Sequence, residues 1–352
     1  MIYGSNIKAL LVVLASLLSV GCADLSYYLH SVKGQLSITQ KTVNIDDLLA
    51  DEATDPKLAQ QLQLVSRIRE FAFSQLQLPE SDSYTRYADL GRNYAIKNLY
   101  ATDEFSITLQ QWCYPIVGCA GYRGYFDDSM LEAYKTELVK QSKDVYVSNI
   151  PAYSTLGWFD DPVLNTFVYW PEHRLAGLIF HELAHQRLYI DGDSSFNESF
   201  AMAVQLSGTE KWLEQYAELP QLQQYQQRFI NRLRVIDLIE LAREELKQLY
   251  QSELDDTQKR YQKQLIFERM KRDYQKLAAQ FTTPEGFSYW FQGELNNAKL
   301  ASVSTYYADV TAFRQLLQRV NGEYTEFYRQ VEKTATLPVQ QRRLEMKQWL
   351  KP

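Results

Sequence analysis

Apolar residues recur every three or four positions through most of the chain, the spacing of a helix face, while strand-like runs are short and fall in the first half. Asp55-Pro56 reads as an N-cap followed by a first-turn proline. Leu58, Leu62, Val65, Ile68 and Ala72 then form one stripe on a helix that ends near Gln77, before Pro79 and the polar Glu80-Ser81-Asp82-Ser83. Further helices are predicted over 84–100 and 127–141. Alternation of Phe105, Ile107 and Leu109 predicts a strand over 104–112, and strand character returns at Val145, Val147 and Ile150 and at 165–170. Pro171 opens a helix running from Glu172 to about Ile190, which Asp191-Gly192-Asp193 stops, and another begins at Ser194 or Ser195. Beyond Thr209, Gln, Leu, Glu, Arg and Tyr dominate, predicting long helices over roughly 209–247 and 251–280. Pro284-Glu285-Gly286 interrupts, and helices resume over 295–320 and 339–350. The fold class expected is mainly α with a small β-sheet.

Residues 1–21 change that picture. An unbroken apolar and small run, residues 9–20, precedes Gly21-Cys22 and would rise only about 18 Å as a helix, short for a membrane span and suited to the core of a signal peptide. Leu17-Leu18-Ser19-Val20-Gly21-Cys22 resembles the cleavage box of bacterial lipoproteins, with Ser19 where leucine is usual and Lys8 the only side-chain cation before it. Export with Cys22 as a lipid anchor is the first reading. An uncleaved anchor, soluble secretion and a buried first helix are the others. Ala23 after the cysteine points to the outer membrane, and so to a periplasm-facing protein of the cell envelope. The organisation expected is a signal peptide over 1–21, a tether over 22–48, a core over 49–208, a long helical segment over 209–283, and C-terminal helices over 284–352 that complete the domain.

The net charge of −6 provides no global positive field, so nucleic acid is not an expected partner. Of the three cysteines, Cys113 and Cys119 remain beside Cys22. In an exported chain they could close a small disulfide loop around Pro115 and Gly118, although two free, buried thiols would satisfy the sequence as well.

Chemistry concentrates at His181-Glu182-Leu183-Ala184-His185. On a helix, residues four apart share a face, so both imidazoles can reach one ion, expected to be zinc. Glu182, offset by about 100°, can take a proton from a water beside it. Two core histidines with a solvent-facing glutamate would give the same letters. Two of only four histidines fall here, however, inside a predicted helix. For the third ligand, Asp191 has the metzincin spacing, but Leu188 stands where that class needs glycine, and Asp193 is a weaker alternative. Glu198, in Asn197-Glu198-Ser199-Phe200-Ala201, resembles the ExxA pattern of the gluzincin class, whose second helix returns antiparallel to present its glutamate.

Together with Tyr27-Tyr28, Gly34-Gln35, the segment 153–159 with Asp161-Pro162, and Leu295-Asn296-Asn297-Ala298, these motifs span nearly the whole chain. They resemble a family of bacterial predicted aminopeptidases, lipoprotein-like and with a gluzincin-type zinc site. The resemblance implies a zincin-like metallopeptidase core with long additional helices and a peptide substrate. It also implies an edge strand near 153–159 whose Tyr153, Ser154, Thr155 and Gly157 hold that peptide by strand addition. A buried loop with Trp158 and Phe159 in the core is the alternative for that segment. Asn297 is a candidate substrate-binding residue and Tyr307 a candidate oxyanion donor, with Tyr306 close behind. Asp160, Asp161 and Glu172 do not form the amine-binding motif of large zinc aminopeptidases. An envelope endopeptidase or amidase therefore stays open, as does a non-catalytic envelope lipoprotein whose long helices bind a protein partner. In that last case the zinc would be structural, with Asp193 or His173 as a fourth ligand.

Overall fold

The computed structural model describes residues 22–114, 118–152, 160–283, 286–304 and 309–351. The chain is mainly helical, with small sheets. Helix α1 (Cys22–Thr39) leads through β1 (Val43–Asn44) and α2 (Ile45–Ala50) to α3 (Pro56–Leu76). The start of α3 is the one expected: the Asp55 side chain accepts from Leu58 N at 2.9 Å, a cap contributing about 1 kcal/mol, and Gln77 closes the helix in a left-handed conformation.

Residues 84–100, predicted as a helix, instead form β2 (Arg86–Ala88), a turn at Gly91, and most of β3 (Ile96–Thr102). Five of the seven β3 residues are buried in one continuous run, so the strand has no alternating pattern to betray it. Its continuation, predicted as a strand over 104–112, is an irregular loop that Gln110 N ties back to Ala101 O at 2.8 Å. A hairpin of β4 (Trp112–Tyr114) and β5 (Gly118–Ala120) follows, joined by a disulfide between Cys113 and Cys119, and then β6 (Arg123–Tyr125) and α4 (Asp128–Lys140). Strand β7 (Asp144–Ile150) pairs antiparallel with β3, giving the order β6-β3-β7. One face of this sheet packs Leu99, Ala101, Val145 and Val147 against α4 and Tyr27. The two-residue β8 (Val163–Leu164) pairs with β2, and the strand predicted over 165–170 is a turn.

Helices α5 (Glu172–Arg187) and α6 (Ser194–Tyr216) carry the motif residues. The long helix predicted from 209 begins much earlier, as α6, and breaks at Ala217. Pro220 and a Glu218/Gln221 capping box there start α7 (Leu219–Gln251), which pairs with α8 (Asp256–Ala278). After α9 (Ser288–Gln292), the predicted helix over 295–320 is two, α10 (Asn297–Ser304) and α11 (Val310–Arg319). Then come α12 (Tyr324–Ala335), which the spacing did not announce, and α13 (Val339–Trp349).

The main core mixes α3, α5 and α6 with α11, α12 and α13, so the last helices are part of the body that holds the motif. The α7–α8 pair has its own apolar cluster, shared with α9 and α10. A polar junction fixes that pair to the sheet: buried Lys263 meets Asp144 at 2.7 Å and the carbonyl of Glu104 at 2.9 Å.

Candidate metal centre

Helix α5 is buried on nearly every side, with Leu175, Ala176, Ile179, Phe180, Leu183 and Ala184 sealed in the core. Small residues let its neighbours approach: a β-carbon at Gly177 would stand 3.1 Å from Thr209 Oγ1, and one at Gly208 would stand 2.6 Å from Leu76 and 3.0 Å from Phe180. Gly177 faces Gln205 and Thr209 while His181 and His185 face Glu198, so α5 and α6 run antiparallel. The turn between them is held by Asn197, whose Oδ1 accepts from Ile190 N at 2.8 Å and whose Nδ2 donates to Ile190 O at 2.7 Å. Gly192, at φ +75, supplies the left-handed step, and Asp193 caps α6 through Phe196 N.

These helices bring His181 Nε2 and His185 Nε2 to 3.2 Å from each other, and Glu198 to 3.4 Å from the first and 3.8 Å from the second. Two donors about 2.0–2.1 Å from a tetrahedral zinc stand roughly 3.3 Å apart, so the three side chains fit the ion. The Nδ1 atoms of both rings are buried without a hydrogen-bond partner, leaving the facing Nε2 atoms as the working ends. Burial pushes His185 down to about 4 in spite of Glu198, which keeps this ring neutral, the form that ligates. At His181 burial acts the same way but is outweighed by the hydrogen bond to Glu198 and by the carboxylates around it, so its pKa is raised. Burial raises the Glu198 carboxyl, and the two imidazoles more than reverse this, holding it below its ordinary value.

Three tyrosines lie within electrostatic reach of Glu182 or Glu198. Tyr84, buried and at φ +63, sits in a segment pinned to α5 by the Gln186–Ser83 hydrogen bond and to Asp161 by its own amide. Burial, Glu182 and Asp161 drive its phenol well above 10. Tyr189 stacks edge-on with His185 at 6.3 Å. Tyr122, 37% exposed, follows the disulfide hairpin and lies against Tyr100 at 5.9 Å. Burial and the carboxylates of Glu198 and Glu182 raise its phenol too. The hairpin itself abuts the metal helices: Gly118, at φ +73, backs onto Asp191 so closely that a β-carbon there would overlap the carboxylate.

A family model described as "Putative aminopeptidase" matches residues 26–346. The chain belongs to this family. No curated protein and no solved structure matches the chain.

Of the third-ligand alternatives in this aminopeptidase-family protein, Asp193 is committed to Arg342 and Arg343 of α13, and Asp191 is an exposed residue of the turn between α5 and α6. Among the described residues the candidate metal group consists of His181, His185 and Glu198. His173 lies elsewhere, beside Arg228 and Tyr225. Asn297 requires a correction. It is fully buried, accepts from Tyr250 OH at 2.8 Å, and donates through Nδ2 to Glu104 O at 2.9 Å and through its amide to Asp144 at 2.8 Å. Full burial and these partners join α10 to the sheet and leave its side chain no surface for a substrate. Tyr153, Ser154, Thr155, Gly157, Tyr306 and Tyr307 lie outside the described residues. β7, which leads toward 153–159, ends its sheet, and no strand pairs with its outer edge among the described residues. A cavity of about 600 Å³ walled by Phe105, Leu109, Gln111, Arg243 and Tyr250 contains none of the site residues. Tyr84, Tyr122 and Tyr189 carry no motif that marks them; only Tyr189, four residues after His185 and just past the end of α5, could have been found from spacing.

Proposed function

We propose that this protein is a zinc-dependent peptidase, with aminopeptidase action as the first reading, in which His181, His185 and Glu198 hold the metal and Glu182 is the general base. The observation that carries the proposal is the convergence of two imidazole nitrogens and a carboxylate at ligand spacing, on two antiparallel helices. His181, His185 and Glu198 would hold a zinc ion, which would supply Lewis acidity to the scissile carbonyl and to a water. Glu182 accepts the proton of the attacking water and returns it to the leaving amine. The Tyr122 phenol, held protonated by burial and the neighbouring carboxylates, donates to the oxygen that gains charge, a role the sequence alone offered to Tyr307. The peptide would lie along the outer edge of β7, with which no described strand pairs, adding a strand.

A structural zinc site in a non-catalytic lipoprotein would need a fourth protein ligand. Both candidates for that role, Asp193 and His173, are engaged elsewhere, which favours the enzyme. Cys22 as a lipid anchor, with the body facing the periplasm from the outer membrane, completes the proposal. The test is metal content together with hydrolysis of peptides whose N-termini are free or blocked. Cleavage of the free peptides alone supports an aminopeptidase, cleavage of both an endopeptidase, and cleavage of neither by the zinc-loaded protein removes the enzymatic reading.

A further inference from the structure

Helix α1 is docked by one face and carries a row of aliphatic side chains on the other. The docked face is Tyr27, Gly34 and Ile38: Arg123 lies 4.0 Å over the Tyr27 ring, and a β-carbon at Gly34 would overlap the ring of Phe126. Leu29, Val32 and Leu36 are 63%, 58% and 53% exposed. At 100° per residue their mean direction is opposite to that of 27, 34 and 38, so no part of the fold on which α1 rests can cover them.

The spacing of three and four continues backward through positions 25 and 22, which are Leu25 and Cys22. The row is therefore aligned with the point where the chain leaves the apolar run of residues 9–20. Exposed Lys33 borders it on one side, and Asp24 is the helix's one acidic residue. An exposed aliphatic row that follows directly on an apolar segment, with a lysine at its border, suits a helix lying in a membrane interface, its aliphatic side at the acyl boundary and the cation among the headgroups. No described helix is long and apolar enough to cross a membrane, so this contact would be along the surface.

We propose that α1 is a membrane-surface helix, with Leu29, Val32 and Leu36 set into the bilayer that receives the preceding segment. The helix thereby fixes how the body stands on that bilayer, because its opposite face packs on Arg123 and Tyr125 of β6 through Tyr27 and on Phe126 through Gly34. Whether residue 22 carries a lipid or residues 9–20 remain as an anchor, the row arrives at the same surface. The inference rests on the membrane attachment proposed above and not on the metal centre.

Photocrosslinking of the full chain in the membranes of the producing cells tests it. p-Benzoylphenylalanine replaces Leu29, Val32, Leu36 or, as a control on a distant surface of α7, the 66% exposed Leu241, one at a time. Phospholipid adducts at 29, 32 and 36 but not at 241 are expected. Adducts of those three positions with another polypeptide, with a second copy of this chain or with its own residues 1–21, or no adduct above the control, would overturn the proposal.

Discussion

Asn197 grips Ile190 by both backbone groups, accepting from its amide at 2.8 Å and donating to its carbonyl at 2.7 Å. This clamp stops α5 from continuing past Arg187 and sets the first turn of α6, and with it Glu198, against the two histidines. Replacing Asn197 by Ala leaves a partly buried amide and carbonyl without this partner, at a cost of about 1–3 kcal/mol. The Asn197→Ala variant is expected to unfold earlier in denaturant titration and to bind zinc more weakly in competition with a chelator, although no ligand has been touched.

Glu198 itself completes the metal group. Glu198→Ala leaves two neutral donors and removes the charge that balances the ion, so zinc should be lost on dialysis where the wild type retains it. Removing the metal from the wild type should lower the melting temperature as well, since binding at 100-fold excess over Kd stabilises by about 2.7 kcal/mol. Calorimetry with and without chelator measures the shift, which should be absent in the variant.

Tyr122 is the donor proposed for the developing oxyanion. Tyr122→Phe keeps the ring against Tyr100 and removes only the hydroxyl, so kcat should fall by ~10²-fold with zinc content and KM little changed. An unchanged kcat would transfer the role to another group.

The disulfide between Cys113 and Cys119 closes the hairpin that carries Gly118 onto Asp191 and leads into Tyr122. The Cys113→Ser/Cys119→Ser double variant should lose about 2 kcal/mol, as expected for so short a loop, and should lower kcat/KM while zinc stays bound. Steady-state kinetics beside metal analysis separates this from a general loss of fold.

The metal helices were legible in the sequence because their signals are local: a first-turn proline, histidines four apart, a glycine turn and a cap. Glu198 was reachable because it lies one short turn away along the chain. Asn297 misled because the letters do not distinguish an amide facing substrate from one spent on Tyr250, Glu104 and Asp144, three partners distant in sequence. β3 was hidden by its own burial: without a polar face it has no period of two, and Tyr84–Tyr100 could be threaded onto a helix equally well. Tyr84 and Tyr122 reach the site through a left-handed turn and a crosslinked hairpin, neither of which leaves a mark at the tyrosine itself.

The division of labour between holding the metal and moving the proton is tested most directly by Glu182→Gln, with zinc content and peptide hydrolysis measured on the same preparation as the wild type. Zinc should remain at the wild-type level, because Glu182 is not among the three ligands. Turnover should fall by ~10²–10⁴-fold, the contribution of a positioned general base. Hydrolysis at the wild-type rate would contradict the account, and so would loss of the metal.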